Sequence, residues 1–371
     1  MKDERWRRHR NPTYIYPSPI LYMKHLSLST LILLFFILNQ KPASAQVNTE
    51  AVDAYWSIVD ELKRDRAPSA QTWNAFFALQ GNQLALKQAR AAANLKDTVM
   101  KSLQLVYMPS HRQRLAQTPI NPFLENILYV RDREDAIKDY IAHLKKAPVV
   151  DSMYRLAHQY LPPEKQVRLP GLKIYYVGPV TLDSRALTDA FFINTGSEHR
   201  FSPRRLPIIG AHELHHMLIN LEKPKKAASN KYAGLVSVLR SLLTEGVADL
   251  IDKKYILAQN DTLYRPLLQQ GLDISDSLLR RMNSELESLC ASEGYRHNLR
   301  NFMARGGHVP GHYMALVIER NGLLPELLHH IDNPFAFVYI YNKGAKRDAA
   351  RPAVFSERAI TFLKEVEQLC Q

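Results

Sequence analysis

The stretch from Ile208 to Asn220 reads IIGAHELHHMLIN and sets His212, Glu213, His215 and His216 into an otherwise apolar run. Imidazole nitrogens bind borderline metals. Two histidines four positions apart on an α-helix lie about 40° from each other around its axis, so His212 and His216 can aim at one ion. Glu213 falls at the edge of that face, where it could reach a water on the metal without ligating it, as a general base must. The pattern is H-E-x-x-H. A register pairing His212 with His215 would leave Glu213 without a part, so His215 is read as a pocket wall or core residue.

Two histidines do not complete a hydrolytic zinc site, which takes three protein ligands and one open position. LLTEGVADLID, from Leu242 to Asp252, offers Glu245 and Asp249, again four apart. A solvated acidic face is the ordinary reading of such a pair. Here Leu242, Leu243, Val247, Ala248, Leu250 and Ile251 make the helix apolar, and buried carboxylates without a cation are costly. Glu245 is therefore the expected third ligand. Asp249, one turn on, would accept the free ring N–H of a zinc histidine, with His212 as its expected partner. Gly246 beside the ligand suits a close helix approach, although glycine costs about 1 kcal/mol against alanine in a helix.

These residues require two helices and a wall to hold a substrate. From Asn48 to about Leu161 the apolar spacing is helical, with Val52, Tyr55, Ile58, Val59 and Leu62 on one face and Ser69 as a cap for AQTWNAFFALQ. Further helices are expected over 83–107, 124–146 and 151–160. A proline-bearing linker follows. LKIYYVG (172–178) and DAFFINTG (189–196) are strand candidates, and the chain from Tyr232 onward is mainly helical. The fold class expected is α+β, mainly α. Residues 46–165 form a helical region and 166–371 a catalytic region with a small sheet edge beside the metal-bearing helix.

The 371 residues, 46% hydrophobic and 23% charged, suit a globular protein. Residues 1–22 are a basic leader, and an upstream start-site misassignment would explain them. Residues 23–45 carry a short basic start, an apolar run from Leu26 to Leu38 and Ala43-Ser44-Ala45, the anatomy of a secretory signal cleaved after Ala45. The alternative is an uncleaved membrane anchor, but the run is short of the roughly 20 residues of a spanning helix. A secreted or periplasmic protein without a stable membrane span is expected. Residues 1–45 hold seven Lys or Arg against two Asp or Glu, so +5 of the net +13 goes with them and +8 remains. No basic, aromatic-interleaved run suggests nucleic-acid binding. Cys290 and Cys370 are either a disulfide or two free thiols, since sequence alone does not give their separation.

HELHH followed by EGVAD, with 28 residues between His216 and Glu245, resembles the gluzincin zinc metallopeptidases, the thermolysin-like group. E-x-x-x-D is similar to that group's ligand-plus-orienting pair, and DAFFINTG resembles the edge strand that lines its cleft. The layout of strand, AHELHH, TEGVAD and GHVPGHYMALVIERNG is also similar to uncharacterised bacterial families assigned to zinc-dependent peptidases. The resemblance covers about Leu172 to Tyr341. It implies Zn2+ on His212, His216 and Glu245, Glu213 as general base, Asp249 behind the ligands, and a peptide or protein substrate. It also implies a tyrosine or histidine that stabilises the oxyanion, for which Tyr313 and His312 rank above His308. Helix packing around Gly307 and Gly311 is the competing reading of those three. The pair His329 and His330 has no motif behind it. Hydrolysis of a non-peptide amide or ester, or a non-catalytic exported protein with structural zinc, are the alternative functions.

Overall fold

Helical periodicity accounts for most of the chain. The computed structural model describes residues 46–88, 94–202, 205–219, 229–262, 264–289 and 304–370. The leader, the signal and Cys290 lie outside the described residues. Strand β1 (Gln46–Asn48) opens them. Eight helices follow: α1 (Glu50–Lys63), α2 (Ala70–Ala78), α3 (Gln80–Gln88), α4 (Leu95–Tyr107), α5 (Arg112–Ala116), α6 (Pro122–Asp132), α7 (Glu134–Leu144) and α8 (Val149–His158). Three strands come next, β2 (Lys173–Val177), β3 (Arg185–Ala186) and β4 (Ala190–Asn194). The remainder is helical: α9 (Thr195–Phe201), α10 (Ile208–Ile219), α11 (Ser229–Ala258), α12 (Tyr264–Leu289), α13 (His308–Arg320), α14 (Leu324–His329), α15 (Pro334–Ala345) and α16 (Glu357–Cys370). The fold is α+β and mainly α, with one small sheet.

Local chemistry explains several of these elements. Ser69 Oγ accepts the Thr72 N–H at 3.1 Å and starts α2, while Asn121 Oδ1 accepts the Leu124 N–H at 2.9 Å and starts α6 behind Pro122 at its first position. The single helix expected over 124–146 is two, broken at Arg133. The strand candidate over 189–196 ends at Asn194, and Thr195-Gly196-Ser197 opens α9 because the Asn194 side chain accepts the N–H groups of Gly196 and Ser197.

The sheet order is β1-β2-β4-β3. β2 runs parallel to β4, pairing Lys173 with Ala190 through Val177 with Asn194, and β1 runs parallel to β2 on the far side. β3 is antiparallel to β4, with Arg185 opposite Phe192. The expectation that DAFFINTG is the edge strand is therefore corrected. All five residues of β4 are buried, flanked by β2 and β3, which is why they read as a continuous apolar run. The edge beside α10 is β3.

Residues on both sides of 165 share one core, which joins Tyr55, Leu103 and Ile127 to Phe191, Leu243 and Phe337. Helix α10 lies among α8, α11 and the β3–β4 hairpin. Gly210 admits α8, because a Cβ there would stand 2.5 Å from Met153 Cε. Helices α11 and α13 meet backbone to backbone: a Cβ at Gly246 would come 2.4 Å from Gly311 O, and one at Gly311 2.4 Å from Leu242 O. Among the described residues no helix is long and apolar enough to cross a membrane.

Candidate metal centre

Helix α10 presents His212 and His216 on adjacent turns, and their Nε2 atoms stand 3.0 Å apart. Helix α11 brings Glu245 Oε2 to 3.1 Å from His216 Nε2 and 3.8 Å from His212 Nε2. One donor atom from each of the three residues lies within 4.8 Å of the others. This set fits a metal ion on its own geometry. Two imidazole nitrogens facing each other at that range need a proton or a cation between them. Glu245 Oε2 is sealed from solvent and has no partner of hydrogen-bond geometry, although three histidines stand close. Two nitrogens and a carboxylate oxygen are also a donor chemistry that suits catalytic zinc.

The surroundings are asymmetric. The side chains of His216, Glu245 and His308 are 19%, 24% and 35% exposed, whereas those of His212, Asp249 and Asp252 are at most 6% exposed. Solvent thus reaches the donor set from one side, and carboxylates close the other. Burial disfavours a charged His212 ring, but Asp252 outweighs it and holds the imidazole well above the usual histidine range. For Glu245, burial is likewise outweighed, by His216 and then His308, which hold the carboxyl well below its ordinary value.

The carboxylate behind His212 differs from the expected one. His212 Nδ1 is 3.2 Å from Asp252 Oδ1 and 3.7 Å from Asp249 Oδ1, so Asp252 is the hydrogen-bond partner that fixes the ring. Asp249 instead takes His308 Nδ1, at 3.0 and 3.2 Å to its two oxygens. Lys253 sits on both carboxylates, 2.8 Å from Asp252 and 3.2 Å from Asp249. Burial would push both acids up, but the Lys253 ammonium overrides it and keeps them low. His212, Asp249 and His308 also gather three donor atoms. That grouping already contains Lys253 as its cation.

Glu213, next in the chain to His212, is buried, and its Oε2 accepts the Ala186 N–H at 2.5 Å, tying the carboxylate to edge strand β3. His308 opens α13 and carries its Nε2 to 3.3 Å from Glu245 Oε2. Of the residues ranked above it, His312 is buried with neither ring nitrogen hydrogen-bonded, and Tyr313 takes its charged neighbours from Asp276, Arg320 and Asp348. The crossing of α11 and α13, invisible in a local pattern, decides which of the three faces the ligands. His215 is fully buried with Nε2 donating to Tyr160 O at 3.1 Å, and burial pulls its pKa down to about 3, so it is a neutral core residue.

The start of α10 has its own buried acid. Glu198 Oε2 accepts the Gly210 N–H at 3.1 Å, and Glu198 is 0% exposed. Burial raises its pKa to about 8, against the lowering effect of that N–H. Sequence reasoning missed Glu198, Asp252 and Lys253 at these places and ranked His308 below His312 and Tyr313. Asp252 alone had a usable signal, since seven residues from Glu245 it falls about 20° from it around a helix.

Residues 73–350 match the family described as "Putative zinc dependent peptidase (DUF5700)", which spans 278 of the 371 residues. The chain belongs to this family. No curated protein and no solved structure matches it. The DUF5700 match includes every residue of the donor set and its carboxylate backing, from His212 to His308. The family's description names zinc dependence and peptidase activity, and the His212, His216 and Glu245 cluster is a set of side chains able to hold such a metal.

Proposed function

We propose that this protein is an exported zinc metallopeptidase of gluzincin type, with zinc held by His212, His216 and Glu245. The observation that carries the reading is the convergence of those three donor atoms, open to solvent on one side, with Glu213 next in the chain to the ligand His212. When bound, zinc supplies Lewis-acid polarisation of a carbonyl and makes a coordinated water acidic enough to ionise near neutral pH.

The chain's own residues do the rest. Glu213 takes the proton of the attacking water on a carboxylate oxygen and delivers it to the departing amine. Its bond to Ala186 N–H aims that carboxylate and places it against the outer edge of β3, where an extended peptide can add as a strand. His308 is the donor to the developing oxyanion. Burial lowers its pKa, but Asp249 and Glu245 outweigh this and raise it, so Nδ1–H is held by Asp249 while Nε2–H lies on the donor-set side, 3.3 Å from Glu245 Oε2, where it can turn to the substrate oxygen. Asp249 thus orients the oxyanion donor, and Asp252 orients the ligand His212. Hydrolysis outside the cytoplasm would follow export directed by residues 23–45.

A closed structural zinc site would need a fourth protein ligand. His308 is the nearest candidate, but it falls outside the mutually close donor set and gives its Nδ1 to Asp249. The test is Glu213→Gln in the purified full-length chain. Zinc content should stay at one per chain while cleavage of a mixed peptide library falls by about 10²–10⁴-fold. Undiminished cleavage in that variant would refute the mechanism.

A further inference from the structure

One ammonium joins two imidazoles that belong to different helices. Asp252 gives Oδ1 to His212 Nδ1 at 3.2 Å and Oδ2 to Lys253 Nζ at 2.8 Å. Asp249 takes His308 Nδ1 at 3.0 Å on Oδ1, the oxygen that also lies 3.2 Å from Lys253 Nζ. His212 stands on α10 and His308 on α13, whereas both carboxylates and the lysine stand on α11. The two acid side chains are 0% and 4% exposed and that of the lysine 19%, so water does little to fix any of them.

We infer that Lys253 is a positioning residue, a clamp that fixes both carboxylates and thereby sets the ring orientations of the ligand His212 and the oxyanion donor His308 together. This rests on the metal-site reading above. A carboxylate held through only one oxygen can swing about its last side-chain bond. Lys253 holds Asp252 by the oxygen that His212 does not use, so the Asp252 plane, and with it the His212 ring, has one setting. Helical spacing makes the same ammonium available to Asp249, four residues earlier, without disturbing the first contact.

A second role is conceivable for a cation here, and it predicts the opposite sign. Glu245, Asp249 and Asp252 carry three negative charges, against one on Lys253, one on the doubly protonated His308 and two on a zinc ion. If Lys253 acted only through its charge, removing it would make the site more negative and tighten zinc binding. If Lys253 is a clamp, removing it lets Asp252 and His212 turn, and zinc binding weakens. Partners of metal-ligating histidines typically matter by 10–100-fold in affinity. Lys253 lies one contact further out, so the lower end applies.

The experiment compares the full-length wild type with Lys253→Met, Lys253→Arg and Glu245→Ala, measuring the zinc dissociation constant by competition with a chromophoric chelator and steady-state peptide cleavage. Lys253→Met should raise the dissociation constant about tenfold and lower kcat with KM little changed. Lys253→Arg, which keeps a cationic donor, should stay within about threefold of the wild type in affinity. Zinc binding in Lys253→Met as tight as in the wild type, or tighter, would overturn the clamp. Should Lys253→Met not fold, judged by circular dichroism, Lys253→Gln carries the same expectation and the same refutation. Wild-type zinc binding that survives Glu245→Ala would overturn the metal-site reading itself, whereas binding lost in Glu245→Ala but indifferent to Lys253 overturns only the clamp.

Discussion

Replacing Gly246 with alanine should separate helices α11 and α13 and disable His308 while leaving the zinc ligands in place. The added methyl would sit 2.4 Å from Gly311 O and 2.6 Å from its carbonyl carbon, both backbone atoms. Ordinary contact begins near 3.4 Å, so the seam must open by about 1 Å. No side-chain rotamer can relieve this strain. Overpacking of this kind costs about 1–3 kcal/mol, and the rigidity of a backbone obstacle puts the cost at the upper end. Alanine recovers about 1 kcal/mol of helix propensity, leaving a net loss of roughly 1–2 kcal/mol and a fall in Tm of a few degrees. The functional effect should be larger. His308 stands three residues before Gly311, and moving it by about 1 Å would take its Nε2 from 3.3 Å to beyond 4 Å from Glu245 Oε2. Misplacement on that scale costs about 100-fold in rate. His212, His216 and Glu245 lie across the α10–α11 interface instead, so zinc affinity should change little. The assay is peptide cleavage normalised to bound zinc, with thermal melting alongside. A Gly246→Ala protein as stable and as active as the wild type would refute the argument from helix approach, and Gly311→Ala offers an independent repeat.

Two further outcomes follow from the buried groups. His308→Gln should lower kcat by about 10²–10³-fold with KM nearly unchanged, as loss of an oxyanion donor does; an equal rise in KM would instead indicate substrate binding. Glu198 gives a stability signature. Its pKa rises from 4.5 to about 8 on folding, so the folded chain retains a proton that the unfolded chain releases between those values. Stability should therefore fall as pH rises through that window, by about 5 kcal/mol in all, and Glu198→Gln should abolish most of the fall. Urea midpoints from pH 5 to 9 measure it, and parallel curves for the two proteins would refute the assignment.

The donor set was legible in the sequence because its logic is local. His212, Glu213 and His216 share one helical turn and a little more, and Glu245 stands out as a carboxylate in an apolar helix. Their backing was legible only in part. Glu245, Asp249 and Asp252 all fall on nearly the same side of α11, so spacing alone does not say which aspartate meets His212 and which meets His308. His308 is 59 residues from Asp249, and it reaches the site only because Gly246 and Gly311 let two backbones touch. The break at Arg133 has no proline or glycine to mark it. β1 and β3 are three and two residues long, too short for an alternating pattern to declare itself.

The two rims of the sheet have unequal fates. On one side β1 covers β2 through pairs from Gln46–Lys173 to Asn48–Tyr175. On the other, β3 offers only two residues, one of whose N–H groups is engaged by Glu213. A chain trimmed to begin at Glu50 would lose β1 and bare the backbone of KIYYV, an apolar rim that invites another molecule to stack on it. The first strand thus shields the β2 edge and leaves the short β3 rim as the side of the sheet that faces the helix of His212 and His216.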